Sequence, residues 1–423
     1  MSDMRPIEDV DPQLAELIQD EVSRQRSQIH LIASENYTSF AIMQASGSVL
    51  TNKYSEGYPG RRYYEGSRVI DEVENLAIDR AKRLFGAEHA NVQAHSGSQA
   101  NMAAYLAVLK PGDTILGMAL DQGGHLTHGS PVNFSGTLFN FVAYGVDRDT
   151  ELIDIEEVRR LAKEHQPQMI IAGYSAYSHF IDWSAFRKIA DEVGAVFLVD
   201  AAHILGLIAG SAHPNPVPHA DIVTATTHKA LRGPRGGLIL SRQRFAKDID
   251  KGVFPGVQGG PINNQIAAKA LCFELASRAE FKTYANQIVR NAKVLAGAMD
   301  DEGLRVIGGG TDNHMFLVDL RSLDPELTGK EAAEFLDQHG VTLNRNSIPF
   351  DPRSPFITSG LRMGTPSVTT AGMMQEQMVL LGKLIVEILR KRIDPYSVNL
   401  YTDQIRELAD AFPAYPVDFP GHV

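Results

Sequence analysis

The sequence predicts an α/β fold, with a mostly parallel sheet flanked by helices and a smaller α+β domain at the C-terminal end. Three observations carry that expectation. Short apolar runs, such as residues 195–200 and 169–174, suit strands buried on both faces. Helical patterns around residues 153–164 and 185–193 separate those runs, as parallel connections require. Beyond residue 240 the pattern changes to a long helical region, then to strands and helices mixed.

Taken in order, residues 11–30 place Leu14, Leu17, Ile18 and Val22 near helical spacing and read as one helix. Residues 31–36 start apolar and end abruptly polar. Residues 51–64 hold four tyrosines, one acid and three basic residues among Gly and Pro, which excludes a regular helix. Such a loop is a binding surface, a subunit contact or a plain structural arm. Residues 68–85 form an amphipathic helix that Gly86 stops. Ser96-Gly97-Ser98 opens a helix running to about Leu109. Free N–H groups at that terminus can cradle a phosphate, although serine is also an ordinary N-cap.

Strands are expected at 114–118, 141–146 and 169–174, the last leading into Ser175. The loop 121–128 carries two histidines. With no Cys or acid cluster beside them, His125 is better read as an aromatic over a flat ring than as a metal ligand. A helical region at 263–299 carries the chain into the second domain. Strands at 315–320 and 341–343 and helices at 330–339 and about 370–392 build it. The tail from Asp394 contains proline and is expected to wrap the surface. The division predicted is an N-terminal arm (1–60), a large domain (61–275) and a small domain (276–423).

Chemistry concentrates between residues 221 and 240. Two strands, 222–225 and 238–240, bracket a polar turn in which Lys229 follows Thr226, Thr227 and His228. Partial burial and the cations Arg232 and Arg235 would lower the pKa of this lysine toward that of a Schiff-base amine. The alternative is a strand-end lysine among anion-binding arginines. The run 195–200 ends in Asp200, which is either a helix N-cap or a charged group at the ligand-binding edge of the sheet. If the two strands are neighbours, amine and acid share that edge. Pyridoxal phosphate (PLP) needs both, a lysine for its aldehyde and a carboxylate facing its ring nitrogen. Arg362, between glycines in a strand-like segment, offers either a fork for a carboxylate or half of a structural ion pair.

Composition narrows the class. Forty basic residues against 51 acidic ones leave a net charge of −11, which argues against a nucleic-acid surface. The single cysteine, Cys272, excludes an internal disulfide and fits a reducing compartment. The sequence shows no h-region and no apolar stretch long enough to span a bilayer, so a cytoplasmic protein is expected.

With these residues in view, the chain resembles the serine hydroxymethyltransferase family over nearly its whole length. The resemblance rests on residues 31–36, 51–64, 95–101 and 123–129, on Thr226-Thr-His-Lys229 with residues 231–237, and on 354–366. It implies the fold-type I, aspartate-aminotransferase-like architecture, with a mostly parallel seven-stranded large-domain sheet. It also implies PLP as cofactor, tetrahydrofolate as co-substrate, and a homodimer that shares its active sites. Lys229 would join the cofactor aldehyde, with Thr226 and His228 beside it. Asp200 would face the ring nitrogen and His125 stack on the ring. Ser175 and His203 would approach the ring hydroxyl, and Ser96, Gly97 and Ser98 hold the phosphate. Tyr54 and Gly260 would come from the partner. Ser34 and Arg362 would hold the amino acid. Glu56 and Tyr64, also from the partner, would serve the hydroxymethyl group and folate, with Glu56 handling the proton. Leu120, Gly124, Leu126, Asn346, Ser354, Pro355 and Phe356 match folate-contacting positions.

Five residues depart from the family pattern: Glu65, Ala201, Leu205, Phe350 and Ala371. They leave 2-methylserine, yielding D-alanine, as an alternative substrate to serine, because cleaving Cα–Cβ needs no Cα hydrogen. A folate-independent PLP aldolase is the other enzyme alternative.

Overall fold

The computed structural model describes residues 5–419 and residue 421. Its centre is a seven-stranded sheet made of β1 (His89–Asn91), β2 (Thr114–Met118), β3 (Asn140–Tyr144), β4 (Met169–Gly173), β5 (Val196–Asp200), β6 (Ile222–Thr226) and β7 (Gly237–Ser241). The strand order is β1-β7-β6-β5-β4-β2-β3, and only β7 runs antiparallel to its neighbours. Alternation along each strand feeds two cores. Phe197 and Val199 join one face with helices Arg68–Phe85, Trp183–Val193 and Asn263–Ala276, while Leu198 joins the other with Gly97–Val108. This two-sided burial is why the strands read as unbroken apolar runs.

The ladder register fixes the functional edge. Asp200 lies opposite Gly173 on one side and Thr224 on the other, so the carboxyl ends of β4, β5 and β6 are level. Lys229 follows three residues after β6 ends. The strand β1, which the sequence pattern did not reveal, is only three residues long and pairs with β7.

A second core lies around a three-stranded antiparallel sheet of β8 (Met315–Asp319), β9 (Asn344–Asn346) and β10 (Gly360–Gly364), ordered β8-β10-β9. The helix Ala279–Asp301 links the two regions. Its Ala285 and Ile288 pack on Leu207 of the first, and its Leu295 and Met299 enter the second core.

Several expected boundaries move, each for a physical reason. The first long helix ends at Ser27, because the backbone of Ile29 and Leu31 bonds to Gly340 and Thr342 and makes a parallel strand there. Its start is capped by Asp11, which accepts from the Leu14 amide at 3.0 Å. The helical region 263–299 breaks at Ser277 and Arg278, and the region 370–392 resolves into Pro366–Thr370 and Gln375–Arg390. The tail is not an irregular wrap. It folds as the helix Pro395–Ala411, with Ile405, Leu408 and Ala409 in the second core. A proline at a helix start costs no hydrogen bond, so its presence was a poor breaker signal.

The edge that carries Asp200 depends on packing beneath β5. Phe197 is fully buried and stacks on Phe186 with centroids 6.0 Å apart. Phe197→Ala should destabilise the fold by about 3–5 kcal/mol, read as a lower thermal midpoint of the cofactor-free protein; an unchanged midpoint would contradict the packing described.

Candidate active site

Asp200 closes β5 with its side chain out of water. Its Oδ2 accepts from Asn101 Nδ2 at 2.9 Å and from His128 Nε2 at 3.1 Å, and its Oδ1 accepts from the Ala202 amide at 3.0 Å. Burial by itself raises the pKa of such a group. The hydrogen bond from His128, with that from Asn101, outweighs burial and holds the carboxyl below the usual carboxylate range. The result is a fixed buried anion.

Asn101 is the hub behind it. The same amide donates to Thr127 Oγ1 at 2.8 Å and accepts from Thr224 Oγ1 at 2.6 Å. Thr127 Oγ1 in turn lies 2.7 Å from His125 Nδ1, and the Thr127 amide donates to that nitrogen at 3.2 Å. His125 Nδ1 is therefore the acceptor, which assigns the proton to Nε2. Burial lowers the His125 pKa to about 4, so the ring is a neutral, flat imidazole suited to stacking. His128 Nδ1 accepts from the His125 amide at 3.2 Å, which directs the Nε2 proton at Asp200. The sequence reading reached His125 and Asp200 but assigned no role to Asn101, Thr127 or His128. Their sequence signal is their place in the stretches 95–101 and 123–129 that carry the family resemblance.

Lys229 donates from Nζ to Thr226 Oγ1 at 3.0 Å, and that hydroxyl donates onward to the Ala202 carbonyl at 3.1 Å. Burial lowers the lysine pKa to about 8; the Asp200 charge opposes the shift, and Arg362 and Arg235 add to it. The expected role of Arg232 is not met. That residue leaves the turn at φ 63° and donates from Nε to the Tyr37 carbonyl at 2.7 Å. Arg362 supplies the second cation instead. From β10 it donates to Asn344 Oδ1 at 3.0 Å and to the Ser175 carbonyl at 2.7 Å. Both partners are neutral oxygens, so its charge stays available, and burial lowers its pKa to about 10.

The other predicted cofactor residues surround this pair. Ser96 caps the helix Gly97–Val108 by accepting from the Gln99 amide at 3.2 Å, which leaves the first-turn amides without intrahelical acceptors. Gly97 is glycine for want of space, since a Cβ there would lie 2.6 Å from Thr226 Cγ2. The cradle helix thus sits directly against the strand that leads to Lys229. His203 Nδ1 lies 3.4 Å from Nε2 of His314, with the rings stacked at 5.6 Å. Burial, followed by the charges of Lys229 and Arg362, keeps His203 neutral, and burial lowers His314 to about 3. His314, just before β8, was not foreseen. His228 Nδ1 accepts from the Gly236 amide at 3.4 Å, and burial lowers its pKa to about 3. It lines a cavity of about 750 Å³ with Ser34 and Arg235, beside the lysine rather than over it. Asn36 ties residues 31–36 to the same turn, donating to the Lys229 carbonyl at 3.2 Å.

Tyr54, Glu56, Tyr64 and Gly260 form a separate group. Tyr54 Oη donates to Glu56 Oε1 at 3.4 Å and its ring meets Tyr64 edge-on at 5.4 Å. The Tyr54 ring also covers Gly260, and both tyrosines are exposed. Among the folate candidates, Leu120, Leu126 and Phe356 are exposed apolar side chains, and Ser354 and Pro355 are exposed beside them. Gly124 packs on the Met118 carbonyl, and Asn346 sits on β9 opposite Gly360. Of the five departures, Ala201 and Leu205 are buried in the main core, and Phe350 lies beneath the Arg148 guanidinium at 4.2 Å. Glu65 is exposed, and Ala371 ends the helix Pro366–Thr370.

These groups fit PLP. A half-buried amine with a lowered pKa, a fixed anion, a neutral flat imidazole and a helix-terminal cradle all face one edge. Only the free amine attacks an aldehyde. Capture of the cofactor aldehyde by cofactor-free protein should therefore speed up about tenfold per pH unit below pH 8 and level off above it. A rate still climbing through pH 10 would show an ordinary lysine.

Comparison with known proteins agrees with this geometry. Residues 7–385 match the serine hydroxymethyltransferase family. The serine hydroxymethyltransferase of Myxococcus xanthus (strain DK1622) is 56% identical over 415 residues, covering 98% of this chain and 99% of that protein. A match of that extent, with a half-buried lysine and a buried carboxylate at one sheet edge, establishes that the chain belongs to the serine hydroxymethyltransferase family.

Proposed function

We infer that the protein is a PLP- and tetrahydrofolate-dependent hydroxymethyltransferase that converts serine to glycine. The observation that carries this is the shared edge of Lys229 and Asp200 in a chain of this family. Once bound, PLP withdraws electrons from the amino acid's Cα, which stabilises the electron pair left when Cα–Cβ breaks. The protein's own residues do the rest. Arg362 takes the substrate carboxylate, with Ser34 beside it, and so sets which bond on Cα stands perpendicular to the cofactor ring. Asp200 would face the ring nitrogen and favour its protonated form, and His125 would cover the ring face. Lys229 would hold the cofactor through its aldehyde and, with its pKa lowered to about 8, would supply the free amine that exchanges with the product's. The β-hydroxyl proton leaves to Glu56, and the one-carbon fragment passes to tetrahydrofolate, bound by the exposed apolar side chains Leu120, Leu126 and Phe356.

The active protein in this reading is a homodimer in the cytoplasm. Glu56, Tyr64 and Gly260 all contact Tyr54, with both tyrosines exposed, which supports the service of these four to a partner's site. Serine is favoured over 2-methylserine because the family and the Myxococcus xanthus relative carry the serine name. Ala201 and Leu205, two departures from the family pattern, pack into the apolar core.

Three outcomes are expected. L-serine with tetrahydrofolate should release glycine, and at a far lower rate without the folate; release of D-alanine from 2-methylserine in preference would overturn the substrate assignment. Arg362→Ala, which removes a half-buried charged partner that also orients the substrate, should cost about 2–5 kcal/mol in kcat/KM, or some 30-fold or more, through both KM and kcat. Co-expressed Lys229→Ala and Glu56→Gln chains, each inactive alone, should regain activity in mixed dimers; no recovery would contradict shared sites.

A further inference from the structure

Lys269, the one fully buried lysine among the described residues, has no part in the chemistry above. It lies in the helix Asn263–Ala276 and is 2% exposed. Its Nζ donates to three carbonyls: Val92 at 2.6 Å, Ala94 at 3.0 Å and Gly237 at 2.8 Å. An ammonium has three donors, so all are used, and none goes to a carboxylate. Among the described residues its side chain makes no ion pair within 4 Å. Glu74, the acid whose charge acts on it, is already engaged by Arg62 at 2.6 Å and Gln93 at 2.8 Å.

The three carbonyls belong to two segments. Val92 and Ala94 form the backbone that runs from β1 into Ser96, and Gly237 is where the Lys229 turn rejoins the sheet. The Gly237 amide donates to the Ala94 carbonyl at 2.9 Å. A Cβ on Gly237 would lie 2.4 Å from the Ser96 carbonyl, and one on Gly236 would lie 2.3 Å from Lys269 Cε. The ammonium is therefore packed under the junction of cradle and turn. Its charge is felt at His95, immediately before Ser96, and at His228, immediately before Lys229.

We propose that Lys269 is a positioning residue for the cofactor's phosphate: it clamps the Ser96 cradle to the base of the Lys229 turn and places an unneutralised positive charge beneath the bound anion. Such a charge, out of water, acts on a dianion far more strongly than a surface lysine does. Burial lowers the pKa of Lys269 to about 7, with Glu74 opposing, and a bound dianion would favour the charged form. The proposal rests on the reading of Ser96, Gly97 and Ser98 as the phosphate cradle.

The test compares equilibrium binding of PLP with that of pyridoxal, which lacks the phosphate, to full-length cofactor-free protein. Lys269→Met should weaken PLP binding about tenfold or more while changing pyridoxal binding less than about threefold. A merely structural role would weaken both alike, and equal losses, or no loss, overturn the proposal. If Lys269→Met does not fold, Gly236→Ala gives the second test. It crowds the ammonium out of its seat without removing it, and it should show the same selective loss of PLP. Ser96→Ala in the same assay separates the two ideas. If it leaves the PLP preference intact, the cradle reading fails; if it lowers the preference while Lys269→Met does not, only the role of Lys269 fails.

Discussion

One electrostatic constraint organises the site: a carboxylate taken out of water and an amine partly withdrawn from it lie at the carboxyl edge of a mostly parallel sheet, and each must be held in a defined charge state. The carboxylate is kept anionic by three hydrogen bonds, from Asn101, His128 and the Ala202 amide. The amine is held by Thr226 and pressed toward its neutral form by burial. Neither state follows from the residue alone. Burial by itself drives both groups neutral, so the network behind Asp200 decides the outcome.

That network draws on separate stretches of sequence. Asn101 comes from the helix after β1, Thr127 and His128 from the loop after β2, and Thr224 from β6. The parallel order of β2, β4, β5 and β6 brings those ends level. Arg362 arrives from the smaller sheet and is seated by Ser175, the residue two after β4. The smaller sheet therefore sends a cation to the edge of the larger one through this contact, and the helix Ala279–Asp301 packs in both cores.

The large-domain architecture was legible in the sequence because fully buried strands leave unbroken apolar runs and the helices between them keep clear periodicity. The meeting of Lys229 and Asp200 at one edge was legible because each stands at or just past the carboxyl end of a largely apolar run, and the two runs are neighbouring strands. Short elements defined by distant backbone partners were not legible, as with β1 and the strand at Ile29–His30 that pairs with Val341–Thr342. The tail from Asp394 was expected only to wrap the surface, and its helix was missed although proline stands there at a helix start. His314 and Asn101 escaped notice because a buried polar side chain looks the same in sequence whether or not it serves a site. Arg232 misled for the opposite reason: proximity in sequence to Lys229 does not fix direction, and its backbone turns it toward Tyr37.

The central claim, that Lys229 is the amine joined to the cofactor at this edge, has a direct test. Cofactor-loaded protein is reduced with borohydride, digested, and its peptides are weighed by mass spectrometry. The account predicts a reduced phosphopyridoxyl group on the peptide containing Lys229 and on no other. A group found on the peptide containing Lys269, or an unmodified Lys229 peptide from protein that was active before reduction, would contradict it.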